Sequence, residues 1–191
     1  MTKKNHPDPE KLRSEEKAAQ ANIKEGRLWA PWRMKYIQAA AWGEDEECFL
    51  CVNPTMVDNE KNLLLHRGRY CFVIMNLYPY NNGHIMVAPY RHIGDFMDLT
   101  SEEMTETMEL TRLSIEALSA TMHPHGYNIG LNLGRVAGAG IEEHLHLHIV
   151  PRWDGDTNFM PVLAETKVVS ESLHESWRRL RQAFEGISKK K

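Results

Sequence analysis

The sequence lacks any apolar run that approaches the roughly 20 residues needed to cross a bilayer. Its first residues, MTKKNHPDPEKLRSEEK, contain no apolar segment of the kind that a secretory signal requires. An excess of positive charge is also missing, because 23 Lys and Arg against 26 Asp and Glu give a formal net charge of −3. We therefore expect neither a membrane nor a nucleic acid as a partner, and any nucleotide must be bound by a local site.

Cysteine is scarce as well. The chain has 3 cysteines, an odd number too small for a disulfide scaffold, which favours a reducing, cytoplasmic environment. Cys71 lies in an apolar segment and is interpreted as inert core. Cys48 and Cys51 form a Cys-x-x-Cys pair, which suits two zinc ligands, a redox dithiol or two unpaired structural cysteines. The absence of a surrounding βαβ pattern disfavours the redox interpretation.

The composition, with 42% apolar and 26% charged residues among 191, is that of an ordinary globular protein. Residues 1–26 are charged and poor in large apolar side chains, so we interpret them as an N-terminal arm and residues 27–191 as the domain. Residues 28–42 hold 3 of the 5 tryptophans. Such a segment needs a surface to cover, on its own domain or on a second subunit.

Sequence periodicity predicts one α+β domain with an antiparallel sheet. Strands are predicted at 70–76, 84–89, 127–132 and 143–150. A long helix is predicted to begin at a capping box formed by Thr100 and Glu103 and to end at 123–126, and a final helix is predicted at 170–185. A stripe of the long helix is predicted to be mostly buried, and consists of Met104, Met108, Thr111, Ile115 and Leu118.

Three histidines, His144, His146 and His148, alternate along the last predicted strand. This spacing places their imidazoles on one face, opposite a face of leucine and isoleucine. Histidines in such a row weaken a sheet, so the pattern indicates a functional role more than packing. Two chemistries fit, a three-histidine metal site or covalent catalysis by a neutral imidazole. The glycine-rich loop at 134–140 offers amides to phosphate oxygens and favours covalent catalysis.

The segment GYNIGLNLGRVAGAGIEEHLHLHIVPRW resembles the signature of the histidine triad (HIT) family. The resemblance extends upstream through YCFVIMNLYPYNNGHIMVAPYRH and covers about residues 48–153. The flanks LWAPWRMKYI and PRWDGDTNFMPV are similar to the branch that contains diadenosine tetraphosphate phosphorylases. The resemblance implies a HIT-like fold, in which a five-stranded antiparallel sheet has flanking helices, and a homodimer or higher homo-oligomer.

The resemblance also implies the chemistry. His146 would attack the α-phosphate of a purine nucleotide, such as a dinucleoside polyphosphate, and form a nucleotidyl-histidine intermediate. His148 would bond a phosphate oxygen or the leaving group, and a backbone carbonyl within the motif would fix the His146 tautomer. His84 would lie near the triad on an adjacent strand, either ordering the site or packed in the core. The nucleotidyltransferase or hydrolase so described is our leading functional prediction.

Further nucleotide contacts follow from the same resemblance. Phosphate is expected at the amides around Ala139, Gly140 and Ile141 and at the Asn132 side chain. Asn76 is expected at the ribose. For both asparagines, a strand-end or turn cap remains the alternative. Some dinucleotide hydrolases of the family carry glutamine where this chain has Gly140, so hydrolysis and transfer to another acceptor both stay open.

A metal site is the last implication of the resemblance. Its zinc-bearing members bind the ion at positions that correspond to Cys48, Cys51, His92 and His144. Four protein ligands leave no open position, so a zinc ion held there would be structural.

Two other functions remain compatible with the same residues. One is a hydrolase of adenosine phosphoramidates, which would use His146 equally. The other is a nucleotide-binding module with little turnover, whose affinity would survive His146→Ala.

Overall fold

The computed structural model describes residues 48–57, 61–156 and 171–189. The predicted N-terminal arm and the tryptophan-rich segment lie outside the described residues.

A single five-stranded antiparallel sheet forms the centre of the described structure, with strand order β1-β2-β3-β5-β4. Its strands are β1 (Leu64–Arg67), β2 (Cys71–Met75), β3 (Ile85–Pro89), β4 (Gly126–Leu131) and β5 (Leu147–Arg152). The sheet confirms the predicted α+β fold. β1, which contains only 4 residues, was not predicted, because so short a segment shows too little alternation.

In the described part of the chain, three α-helices accompany the sheet: α1 (Phe49–Val52), α2 (Ser101–Met122) and α3 (Leu173–Ser188). The predicted capping box begins α2, with Thr100 Oγ1 accepting from the Glu103 amide at 3.2 Å and Glu103 Oε2 accepting from the Thr100 amide at 2.9 Å. The helix ends at His123, which adopts the left-handed conformation (φ 47°) directly before Pro124. No helix within the described ranges has the length and apolar character that a membrane span needs.

The core lies between the sheet and the two long helices. α2 packs on β2, β3 and β5, and α3 packs on α2 and β1. All residues of β2 and β3 are buried, and each fully buried large apolar side chain contributes about 1.5–3 kcal/mol to folding. Cys71 is fully buried there, which confirms the expectation of a core cysteine, and burial raises the pKa of its thiol to about 11.

One predicted strand begins later than expected. β5 pairs with β3 only from Leu147 onward. Just before it, the Leu145 amide donates to the Ile93 carbonyl at 2.6 Å, outside the strand ladder, and His144 turns toward Cys48 and Cys51. His144 and His146 therefore precede the strand, and only His148 lies on it.

The prediction of a buried methionine stripe on α2 is wrong for its first two members. Met104 is 40% and Met108 62% exposed, whereas Thr111 and Leu118 are buried. The stripe faces the side of β4, since the Tyr127 hydroxyl contacts Ser119 and the Ile115 carbonyl. β4 is an edge strand of the described sheet, so the first two turns of this stripe stay exposed.

Candidate active site

His146 is held in one tautomer by the backbone. Its Nδ1 lies 2.7 Å from the carbonyl oxygen of His144. A carbonyl oxygen only accepts, so Nδ1 carries the proton and donates it, and the lone pair is on Nε2. An imidazole in this tautomer presents a nucleophilic nitrogen without prior loss of a proton.

His148 is oriented by a chain of two further hydrogen bonds. The Tyr80 amide donates to His84 Nδ1 at 3.0 Å, which places the His84 proton on Nε2. His84 Nε2 lies 3.0 Å from His148 Nδ1 and therefore donates to it. His148 therefore carries its proton on Nε2, and this N–H can donate a hydrogen bond. The His146 and His148 ring centroids are 4.7 Å apart, so the two rings are neighbours.

His144 has a different environment from its two companions. Its Nε2 donates to the Pro89 carbonyl at 2.9 Å, and its Nδ1 faces the Sγ atoms of Cys48 (3.5 Å) and Cys51 (3.4 Å). His92 Nδ1 lies 3.2 Å from Cys51 Sγ. The four candidate ligand atoms all lie within 4.8 Å of one another.

These four donors fit a tetrahedral metal ion. Zinc bonds of about 2.3 Å to sulfur and 2.0–2.1 Å to nitrogen place a sulfur and a nitrogen ligand about 3.5 Å apart. The observed sulfur–nitrogen distances of 3.2 to 3.5 Å match that value. Burial lowers the pKa of His144, so its ring is neutral as a ligand must be. Burial and the adjacent Cys48 raise the pKa of the Cys51 thiol to about 11, which disfavours the thiolate. A bound cation would favour the thiolate and lower this pKa again.

The glycine-rich loop is a compact turn that leads into the triad. Gly134 (φ 77°) and Gly138 (φ 90°) adopt conformations that favour glycine and flank a 3₁₀ turn, Arg135–Ala137. Asn132 Nδ2 donates to the Gly138 carbonyl at 3.4 Å. The Ala139 amide donates to the Gly134 carbonyl at 3.3 Å and so closes the loop in this structure. Gly140 and Ile141 are half-buried between this turn and the triad.

Asn76 makes a local turn at the end of β2. Its Oδ1 accepts from the Tyr78 amide at 2.8 Å, and its Nδ2 approaches Met86 Sδ at 3.4 Å. This is the turn-capping arrangement that was the alternative to ribose binding. The residue is buried, and a ribose contact there would compete with this turn.

The predicted residues thus form two groups joined at His144. One contains the metal candidates, and the other contains His146, His148 and the loop. Sequence reasoning missed Tyr80, whose ring stacks on His84 (centroids 5.1 Å apart, planes at 14°) and whose amide fixes the His84 tautomer. It also missed the Pro89 carbonyl, since backbone acceptors leave no signal in a sequence.

The fold and the site together define an α+β protein that presents buried histidines beside a glycine-rich loop. The family model of the HIT domain matches residues 58–155. The chain therefore belongs to the histidine triad family.

Individual relatives are consistent with this membership. The AP-4-A phosphorylase of Mycobacterium tuberculosis is 40% identical, over 81% of this chain and 82% of that protein. The bis(5'-adenosyl)-triphosphatase of Dictyostelium discoideum is 35% identical over 42% of this chain and 54% of that protein. Among solved structures, a zinc-bound histidine triad family protein from Mycobacterium smegmatis shares the fold, with a TM-score of 0.59, 24% identity and coverage of 75% of this chain and 96% of that one.

Proposed function

We propose that this protein uses His146 to transfer a nucleotidyl group from a dinucleoside polyphosphate to inorganic phosphate. The bases of this substrate are purines. The observation that carries the proposal is the tautomer of His146, whose Nδ1 is bound to the His144 carbonyl so that Nε2 holds the lone pair. The 40% identity to an AP-4-A phosphorylase over most of both chains supports the substrate class and the acceptor.

In the first step, His146 Nε2 forms a bond to the α-phosphorus, and the bond from that phosphorus to the bridging oxygen breaks. The electron pair leaves with the bridging oxygen on the departing nucleotide. His148 Nε2–H donates a hydrogen bond to this oxygen or to a phosphate oxygen. The His144 carbonyl stabilises the positive charge that develops on the His146 ring.

In the second step, an oxygen of inorganic phosphate attacks the same phosphorus. The nitrogen–phosphorus bond breaks, and its electron pair returns to Nε2. Diadenosine tetraphosphate would thereby yield adenosine triphosphate in the first step and adenosine diphosphate in the second. Water as the acceptor would yield adenosine monophosphate instead of the diphosphate.

Product analysis with diadenosine tetraphosphate, with and without phosphate, tests this proposal. We expect adenosine diphosphate plus triphosphate only when phosphate is present. We expect His146→Ala to lose at least about 10⁴-fold in rate, as other enzymes do without their nucleophile. His174→Ala, an exposed histidine on α3, is the matched control. Monophosphate formed without phosphate would identify a hydrolase, and equal activity of wild type and His146→Ala would overturn the proposal.

We also infer that Cys48, Cys51, His92 and His144 hold a structural zinc ion. When bound, the ion would join three distant segments of the chain and leave no position open to substrate. Metal analysis should find zinc in the wild type and in His148→Ala but not in Cys48→Ser. Loss of the metal from His148→Ala with retention in Cys48→Ser would instead favour a site built from the triad. A zinc site of this kind requires reduced cysteines, which supports a cytoplasmic location.

A second copy of the chain is the partner that we propose for the β4 edge. β4 ends the described sheet, and Ile129, at 45% exposure, lies on the same face of β4 as Tyr127, whose hydroxyl contacts α2. Met108 of α2 is exposed as well. An antiparallel strand pairing about a twofold axis would satisfy this edge in both copies. Light scattering at micromolar concentration should give a dimer that Met108→Glu weakens. The control Met56→Glu, near β1 at the opposite edge, should stay dimeric, and a monomeric wild type would remove the proposal.

A further inference from the structure

The glycine-rich loop carries one cation whose role is not explained by the triad. Arg135 is the only lysine or arginine between Gly126 and Pro151. It begins the 3₁₀ turn between Gly134 and Gly138, and its side chain is 80% exposed. A long, exposed guanidinium therefore stands in the loop that leads into the catalytic histidines.

Arg135 is paired with a carboxylate at the other end of the same loop. Its Nε lies 2.9 Å from Glu142 Oε1, and the Glu142 side chain is 42% exposed. Water and salt screen an exposed pair of this kind, so it contributes little net stability and is readily exchanged for another anion. Guanidinium groups bind phosphate oxygens through paired, charge-assisted hydrogen bonds.

The location of the pair connects it to the reaction centre. Glu142 precedes His146 by four positions, so their Cα atoms are at most about 14 Å apart. The loop end carries two carboxylates, Glu142 and Glu143, in a chain whose net charge is already −3. A substrate with several phosphate groups meets repulsion there unless a cation offsets it.

We propose that Arg135 is a specificity-determining residue that binds the phosphate groups beyond the α-phosphate, and that Glu142 holds its guanidinium until a polyphosphate replaces the carboxylate. This inference rests on the proposed function. It adds that the enzyme selects substrates by the number of phosphate groups, because the α-phosphate is held at the triad and the following groups extend toward Arg135.

The competing explanation is that the ion pair only stabilises the conformation of the loop. The two explanations differ in sign for one substitution. If Arg135 binds polyphosphate, Glu142→Gln releases it and strengthens binding of polyphosphates. If the pair only stabilises the loop, Glu142→Gln and Arg135→Ala remove the same contact and weaken polyphosphate binding alike.

Calorimetric titration of full-length protein with AMP, ADP and ATP tests the inference, in a His146→Ala background that prevents turnover. We expect Arg135→Ala to leave AMP affinity within about twofold and to weaken ATP binding about tenfold, the size of a charge-assisted contact. ADP should fall between them, and Arg135→Lys should restore part of the ATP affinity. Glu142→Gln should tighten ATP binding, but not in a protein that also carries Arg135→Ala.

Four outcomes would overturn the inference. ATP binding that is indifferent to Arg135, or AMP and ATP weakened by the same factor, would overturn it while leaving the proposed function intact. Weaker ATP binding by Glu142→Gln would show that the ion pair only stabilises the loop conformation. Failure of the parent protein to bind AMP at all would overturn the proposed function together with it.

Discussion

At the scale of single residues, three histidines of one motif differ in what their second nitrogen contacts. His146 donates to a carbonyl within the motif, His148 accepts from His84, and His144 donates to Pro89. These partners fix the tautomer of each ring, and the tautomer decides whether the remaining nitrogen carries a lone pair, as in His146 and His144, or a proton, as in His148. A repeated His-x-His pattern thus places its three imidazoles in three different hydrogen-bonding environments.

The first prediction concerns His84, a positioning residue that acts through His148. In His84→Ala, His148 Nδ1 loses its donor and the imidazole can adopt either tautomer. We expect kcat to fall by about 10²-fold, within the range of general acid–base contributions. His84→Gln, whose amide both donates and accepts, should recover part of the loss. Steady-state kinetics across pH checks this.

A purely structural role for His84 would give a different result. Because His84 is fully buried, Ala and Gln should both lower the melting temperature. Rates that follow the melting temperature, with no change in the pH profile and no rescue by Gln, would show that His84 only fills space.

The sequence predicts the identity of these residues better than their geometry. The alternation of the histidines and the Cys-x-x-Cys spacing are visible in the chain, as is the resemblance that singles out His146. The Tyr80 amide and the Pro89 carbonyl are backbone groups, and no side-chain pattern reports them. The turn made by Asn76 Oδ1 illustrates the same limit, because ribose binding and turn capping favour the same residue type.

At the scale of elements, the segment between β3 and α2 meets the loop that precedes β5 at Gly94. A β-carbon there would overlap the Glu142 carbonyl oxygen and lie 3.1 Å from Glu143 Cα. This close approach brings His92 to His144 and lets the Leu145 amide reach the Ile93 carbonyl. A residue without a side chain is therefore required where the two segments cross.

The second prediction is that Gly94→Ala separates these segments. Backbone must shift on one side, so we expect zinc affinity and kcat to fall about tenfold or more, as when the support of a metal ligand is lost. Chelator competition and kinetics measure both quantities. Gly186→Ala is the control, since a β-carbon there meets nothing and an alanine in helix α3 should stabilise the fold by up to about 1 kcal/mol. Unchanged zinc affinity in Gly94→Ala would contradict the requirement.

The third prediction concerns the start of α2. Glu103 is buried, accepts two hydrogen bonds from Arg91 (2.7 and 2.6 Å), and completes the capping box with Thr100. The Arg91 guanidinium holds the pKa of Glu103 below its usual value of 4.5. A lowered folded-state pKa stabilises the fold above the unfolded value, and this stability is lost as pH falls through the folded pKa.

Glu103→Gln should therefore lower the free energy of unfolding by about 1–3 kcal/mol at pH 7. The difference from wild type should shrink as the pH is lowered below about 4.5, where the wild-type carboxyl begins to take up its proton. Urea unfolding at both pH values, with Glu102→Gln as an exposed control, measures it. A difference that stays constant with pH would contradict the assigned ion pair.

Element boundaries show why periodicity is an incomplete guide. The capping box predicts the start of α2 correctly because local hydrogen bonds determine it. β5 begins four residues later than the alternating pattern indicates, because His144 and Leu145 bond to residues from other segments. Met104 and Met108 fit a buried stripe by spacing, but burial also requires a neighbour on that side.

At the scale of the whole molecule, the site is assembled from segments far apart in the chain. Among the described residues, His144 contacts both groups, since its ring faces the cysteines and its carbonyl accepts from His146 Nδ1. Sequence spacing shows each segment, but only the antiparallel order β3-β5-β4 brings loop, triad and metal donors together. Resemblance to a known family supplied that arrangement in advance, and composition or periodicity could not have done so.

The central claim is that His146 Nε2 becomes bonded to the α-phosphorus of the substrate. The most direct test mixes wild-type protein with diadenosine tetraphosphate in the absence of phosphate, quenches the reaction rapidly in alkali, and measures the mass of the intact protein and its peptides. We predict a mass increase of one adenosine monophosphate group on the peptide that contains His146, absent from His146→Ala and discharged when phosphate is added. Substrate cleavage without this adduct, or an adduct that persists in His146→Ala, would contradict the account.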